Sequence, residues 1–83
     1  MNINIIKKYI KLLEKEDINV FLIKNEIHVN NRELEYLFNT AKNNYEEIIN
    51  GDKKLFQEIK NNINIDAYIK LEKKYIEYKK YLK

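Results

Sequence analysis

The stretch Ile18-Asn19-Val20-Phe21-Leu22-Ile23-Lys24-Asn25-Glu26-Ile27-His28-Val29 decides how the fold is read. Its apolar residues alternate, with Ile18, Val20 and Leu22 on one side of a strand and Phe21 and Ile23 on the other. Asn25 tolerates the left-handed backbone of a tight turn, although Glu26 is a poorer second turn residue than glycine. A turn at these two residues pairs Leu22 with Val29 and Lys24 with Ile27, which gathers Ile18, Val20, Leu22, Ile27 and Val29 on one face. The spacing therefore predicts an antiparallel hairpin over 18–29. A lone hairpin is marginal in water, so helices must cover that face, most simply the two that flank it in sequence. Phe21, Ile23 and His28 then face the other way.

Before this stretch, Ile3, Ile6, Ile10 and Leu13 form an apolar stripe flanked by Tyr9 and Leu12, with Lys7, Lys8, Lys11 and Lys15 opposite. That is helical spacing, with Asn2 or Asn4 as cap. After it, Asn30 and Glu33 make a capping box, and Val29 is placed to staple against Leu34. Leu34, Leu37, Phe38, Ala41, Tyr45 and Ile48 keep helical spacing up to Asn50 and Gly51, the only glycine, suited to a left-handed helix end. Asp52 can cap a short helix through Leu55, Phe56, Ile59 and Ile63. A break at Asn61-Asn62 then precedes a last helix that opens near Asn64 or Ile65. The expectation is a single α+β domain over 1–83, mainly helical, in the order α-β-β-α-α-α.

Asn2-Ile3-Asn4-Ile5 recurs as Asn62-Ile63-Asn64-Ile65, each followed by Tyr-Ile-Lys-Leu. The two copies differ in spacing by one residue, which turns a helix by about 100°, so they do not present equivalent faces and are not an internal repeat.

Composition narrows the chemistry. With 83 residues one core forms, burying around 60 to 65% of the unfolded surface. There is no cysteine for a disulfide or thiolate site, no serine, and one histidine, His28. Thr40 is the sole aliphatic hydroxyl, so nucleophilic catalysis lacks its parts, and one glycine cannot build a phosphate loop. Carboxylates such as Glu46 and Glu47 are adjacent and point apart on a helix, without calcium-loop spacing. No enzyme activity, cofactor or metal is expected. The early charges Lys7, Lys8, Lys11 and Glu14 leave no room for a signal peptide's apolar stretch, and no run reaches the roughly 20 residues of a membrane span. The expected setting is the cytoplasm, with no membrane partner.

The last helix carries the candidate surfaces. Tyr68, Leu71, Tyr75, Tyr78 and Leu82 recur at spacings of three and four, interleaved with Lys70, Lys73, Lys74, Lys79, Lys80 and Lys83. Residues 67–83 hold six lysines and two glutamates, while the whole chain is only +3. Tyr68 and Tyr75 can pack inward with Leu71 while Tyr78 and Tyr81 stay half-exposed, or the stripe as a whole can bind. The short heptad stripe also permits a homodimer. As a protein-binding surface the anchors are Tyr75, Tyr78 and Tyr81, with Phe21 and Ile23 as a second patch. As a nucleic-acid surface, Lys70, Lys73, Lys74, Lys79 and Lys80 meet phosphates and tyrosines stack on bases.

Met1-Asn2-Ile3-Asn4, the helix after it, Asp17 with Val20 and Leu22, then Ile27-His28-Val29-Asn30-Asn31 with Glu35-Tyr36, resemble the first half of a small phage anti-CRISPR protein. The resemblance covers about the first third of the chain, with a shorter turn here. The member of that family it resembles imitates DNA with carboxylates clustered in its later half, where this chain is lysine-rich, so neither that mechanism nor any binding residue carries over. What the resemblance implies is a class: a small, non-catalytic, phage or mobile-element inhibitor that blocks a host protein or ribonucleoprotein complex by steric occlusion. If phage-encoded, it would act in the host cytoplasm.

Overall fold

Residues 18–29 do not form a hairpin. In the computed structural model, which describes residues 3–80, every regular element is a helix: α1 (Ile3–Leu12), α2 (Lys15–Lys24), α3 (Asn31–Asn43), α4 (Tyr45–Asn50), α5 (Lys53–Asn62) and α6 (Ile65–Lys79). No strand occurs among the described residues, so the expected α+β class and its order give way to an all-α domain. Asn2, Tyr81, Leu82 and Lys83, to which roles are assigned above, lie outside the described residues. Asn4 sits within α1 rather than ahead of it.

The chain in front of the apolar run starts the second helix. The Asp17 carboxylate accepts the Glu14 N–H at 2.9 Å, half of a capping box. Glu16 and Asp17 in the first turn and Lys24 in the last suit the helix dipole. Along α2 the run sorts by threes and fours: Leu22 is 1% exposed and Ile18 and Phe21 pack beside it, whereas Val20 and Ile23 face solvent at 41% and 65%.

Asn25-Glu26, read above as a hairpin turn, instead ends this helix. The Glu26 N–H donates to the Ile23 carbonyl at 3.1 Å and the Ile27 N–H to the Leu22 carbonyl at 2.9 Å, the paired bonds of a Schellman cap. Ile27, buried at 3%, closes over Leu22, the apolar contact that accompanies this motif. The left-handed residue is Glu26 (φ 58°), not Asn25. Its carbonyl accepts the Lys70 ammonium at 2.8 Å, which ties the turn to α6. A left-handed glutamate strains its Cβ, so Glu26→Gly is expected to stabilise the domain by about 1 kcal/mol. The melting temperature followed by circular dichroism should rise by roughly 5 °C. A fall would show that the Glu26 side chain contributes more than its backbone costs.

The remaining boundaries follow local chemistry. Asn30 and Glu33 form the expected box: the Glu33 N–H donates to Asn30 Oδ1 at 2.8 Å and the Asn30 N–H to Glu33 Oε1 at 2.9 Å. Val29 and Leu34 both pack against the core. The helix expected to run on to Asn50 is broken at Asn44 (φ −125°), whose N–H still donates to the Thr40 carbonyl at 2.8 Å. Two adjacent asparagines, which compete for backbone hydrogen bonds, weaken the helix there.

Gly51 takes φ 69° and ends α4, and Asp52 starts α5 by accepting the Leu55 N–H at 2.9 Å. A Cβ on Gly51 would lie 3.0 Å from the Tyr75 hydroxyl, so the close approach of α6 adds to the backbone requirement. Asn64 caps α6 by accepting the Ala67 N–H at 2.8 Å.

The core is Leu22, Ile27, Leu55, Ile59, Ile63, Ala67 and Tyr68, drawn from both halves of the chain. α3 packs against α1, α2, α4 and α5, and α6 lies on α5. One buried charge joins the halves. Glu33 is 5% exposed, and beyond its own box it accepts the backbone N–H of Asn64 at 2.5 Å and the Asn64 side-chain amide at 3.4 Å. Arg32 donates to the Asn62 carbonyl and the Asn64 amide to the His28 carbonyl, both at 2.9 Å. This carboxylate therefore clasps the starts of α3 and α6 together. The backbone N–H of Asn30 above all, helped by Asn64 and Arg32 and opposed by burial, holds the Glu33 carboxyl below its ordinary pKa.

Candidate functional site

On α6 the aromatic stripe divides. Tyr68 is buried, and its hydroxyl donates to Glu72 Oε2 at 3.0 Å. Burial first, and the Glu72 carboxylate second, push its pKa up. Leu71 packs against the core beside it. The half-buried Tyr75 sets its ring 4.9 Å from that of Phe56, tilted by 58°, and donates its hydroxyl to the Ile49 carbonyl at 3.4 Å. These contacts hold α6 to α4 and α5. Tyr78 is exposed, and Tyr81 lies outside the described residues.

The proposed second patch does not come together. On a helix, residues 21 and 23 are about 200° apart. Phe21 packs against the core while Ile23 points to solvent.

The lysines are likewise split. Lys70 is engaged with the Glu26 carbonyl, and Lys74 pairs with Glu77 at 3.3 Å. Lys73, Lys79 and Lys80 are exposed. Lys70, Lys73, Lys74 and Lys80 spread over about 120° of the helix, and Lys79 falls to the other side. They do not form one cationic face.

Two apolar stripes emerge that the sequence reading passed over. On α6, Ile65, Ile69 and Ile76 lie within about 40° of one another and are each more than half exposed. They were hidden because the tyrosines at similar spacing satisfy the usual demand of one apolar stripe per helix. On α1, Ile5, Tyr9 and Leu12 lie within about 60°, with Leu12 77% exposed. Ile6, Ile10 and Leu13 are the partly covered side. α1 also carries Lys7, Lys8 and Lys11 with no acidic residue.

No match is found among protein-family models, curated proteins or solved structures. The surfaces must therefore be read from their own chemistry. Among the described residues no group of three or more His, Asp or Glu side chains could hold a metal, and no helix is long and apolar enough to cross a membrane. His28 is exposed, and its backbone carbonyl accepts the Asn64 side-chain amide. The polar cluster around Glu33 has its acceptors directed at helix N–H groups, which makes it a structural clasp rather than a site.

Proposed function

We propose that this chain is a non-enzymatic protein-binding module that acts by covering a surface of a larger assembly. The most concrete form is a phage or mobile-element inhibitor of a host defence complex, the class its opening residues resemble. One observation carries the binding reading: exposed apolar side chains are aligned along two helices, Ile5, Tyr9 and Leu12 on one and Ile65, Ile69 and Ile76 on the other. Single exposed apolar residues are ordinary, but aligned stripes mark interaction surfaces. Since each such side chain is already partly covered, burying the remainder against a partner contributes about 1–2 kcal/mol before the costs of association. Tyr78 is the one described member of the original tyrosine set that is free to add to them.

Nucleic-acid binding by α6 is the weaker reading, because Lys70 and Lys74 already have partners within the fold. A pull-down from host lysate at low and high salt, with nuclease treatment in parallel, separates the two. We expect a discrete protein complex that persists through salt and nuclease. It should be lost in Tyr9→Ser/Leu12→Ser or Ile69→Ser/Ile76→Ser proteins, which should stay folded because these side chains are exposed. Recovery of nucleic acid alone, released at high salt, would overturn the proposal. Self-association through the same stripes would appear as a dimer in sedimentation.

A further inference from the structure

Between α2, α3, α4, α5 and α6 lies an apolar cleft of about 170 Å³, walled by Phe21, Leu37, Ile48, Phe56, Leu71 and Tyr75. Its walls offer almost no polar atom. Apolar cavities of roughly 150 Å³ stay dry and take up one benzene ring, so this cleft has room for an apolar body of that size. At Phe56, Tyr68, Glu72 and Tyr75 it adjoins an outer groove of about 440 Å³, lined also by Lys53, Gln57 and Lys79.

The charges of that groove are unequal. The Lys53 and Lys79 ammonium groups have no ion-pair or hydrogen-bond partner among the described residues. The single carboxylate, Glu72, already accepts the Tyr68 hydroxyl at 3.0 Å. An apolar cleft that adjoins a groove lined by two unpaired ammonium groups suits a molecule with an apolar body and a negative head.

We propose that cleft and groove together bind a small amphiphilic carboxylate with an apolar body of about six to eight carbons. The body fills the space between Phe21, Leu37 and Phe56, and the head lies between Lys53 and Lys79. The proposal does not rest on the protein-binding reading above.

Octanoate, below the concentration at which it self-associates, is the probe, with 1-octanol and octylammonium as neutral and cationic counterparts of equal chain length. Titrated into the full chain and followed by ¹H–¹⁵N spectra, octanoate is expected to shift Phe21, Leu37, Phe56 and Tyr75 saturably and to raise the melting temperature. Lys53→Gln/Lys79→Gln should bind it about fivefold more weakly, the effect of two partly screened ion pairs. Both lysines are exposed, so the ligand-free protein should melt as before. Glu72→Gln should tighten octanoate by about twofold, since it removes the opposing charge. No saturable shift of the cleft resonances would overturn the proposal. So would 1-octanol binding as tightly as octanoate, or octylammonium binding more tightly.

Discussion

Glu33→Ala is expected to destabilise the domain by about 3 kcal/mol, a fall of roughly 15 °C in melting temperature. The carboxylate is buried and accepts the backbone N–H groups of Asn30 and Asn64, so truncation leaves two helix starts without their acceptor. For a chain of 83 residues, that is about a quarter or more of the stability expected at about 0.05–0.15 kcal/mol per residue. Glu33→Gln keeps the shape, but its NH2 cannot accept a hydrogen bond, so it should cost about half as much.

The same carboxylate sets an acid limb. Its folded pKa lies below the ordinary 4.5, because hydrogen bonds from Asn30 and Asn64 favour the ionised form. The stabilisation is therefore fully present above the unfolded value, and it is lost as pH falls through the lowered folded value. Urea midpoints measured from pH 7 down to pH 3 should decline in the wild type below about pH 4.5. In Glu33→Gln that decline should be shallower. An unchanged slope would assign the acid limb to other carboxylates.

Leu22→Ala should cost about 3–4 kcal/mol, since Leu22 is 1% exposed and sits where α2 turns into Ile27. Its neighbours make the test specific. Val20→Ala and Ile23→Ala should each cost under about 1 kcal/mol, because both side chains face solvent on the helix. A hairpin would place Val20 with Leu22 and make the first two substitutions comparable. Denaturant melts of the three variants therefore report the secondary structure of this segment as well as its packing.

Helix boundaries were legible wherever one residue does the capping. Asn30 with Glu33, Gly51, Asp52 and Asn64 each act within about three positions of themselves, and each is found where its chemistry places it. The second helix was not legible from its own apolar run. Five of the six residues from Ile18 to Ile23 are apolar, so a period of two and a period of 3.6 both fit, and the β-branched residues favour the former. The deciding signals lie outside the run. Asp17 begins a helix at Glu14, and the left-handed residue after it serves a helix cap as well as it would a hairpin turn.

Lys70, which holds that cap from 44 residues away, could not be anticipated. The break at Asn43-Asn44 has a near counterpart in Asn61-Asn62, which forms the last two residues of α5, so that the interruption expected there falls at Ile63-Asn64 instead. In the candidate surfaces, Tyr78 stands where a binding residue can act, while Tyr75 is drawn inward by Phe56, a partner from another helix. The cleft depends on five helices and leaves no trace in any one of them.

The clasp at Glu33 also bears on the order in which the domain can be completed during synthesis. Its box with Asn30 needs only local chain and can close as soon as the first turns of α3 exist. The other oxygen must wait until Asn64 arrives, 31 residues later. A nascent chain ending before that point holds a half-satisfied anion, so the ribosome must deliver the start of the last helix before the earlier ones gain their full hold on one another.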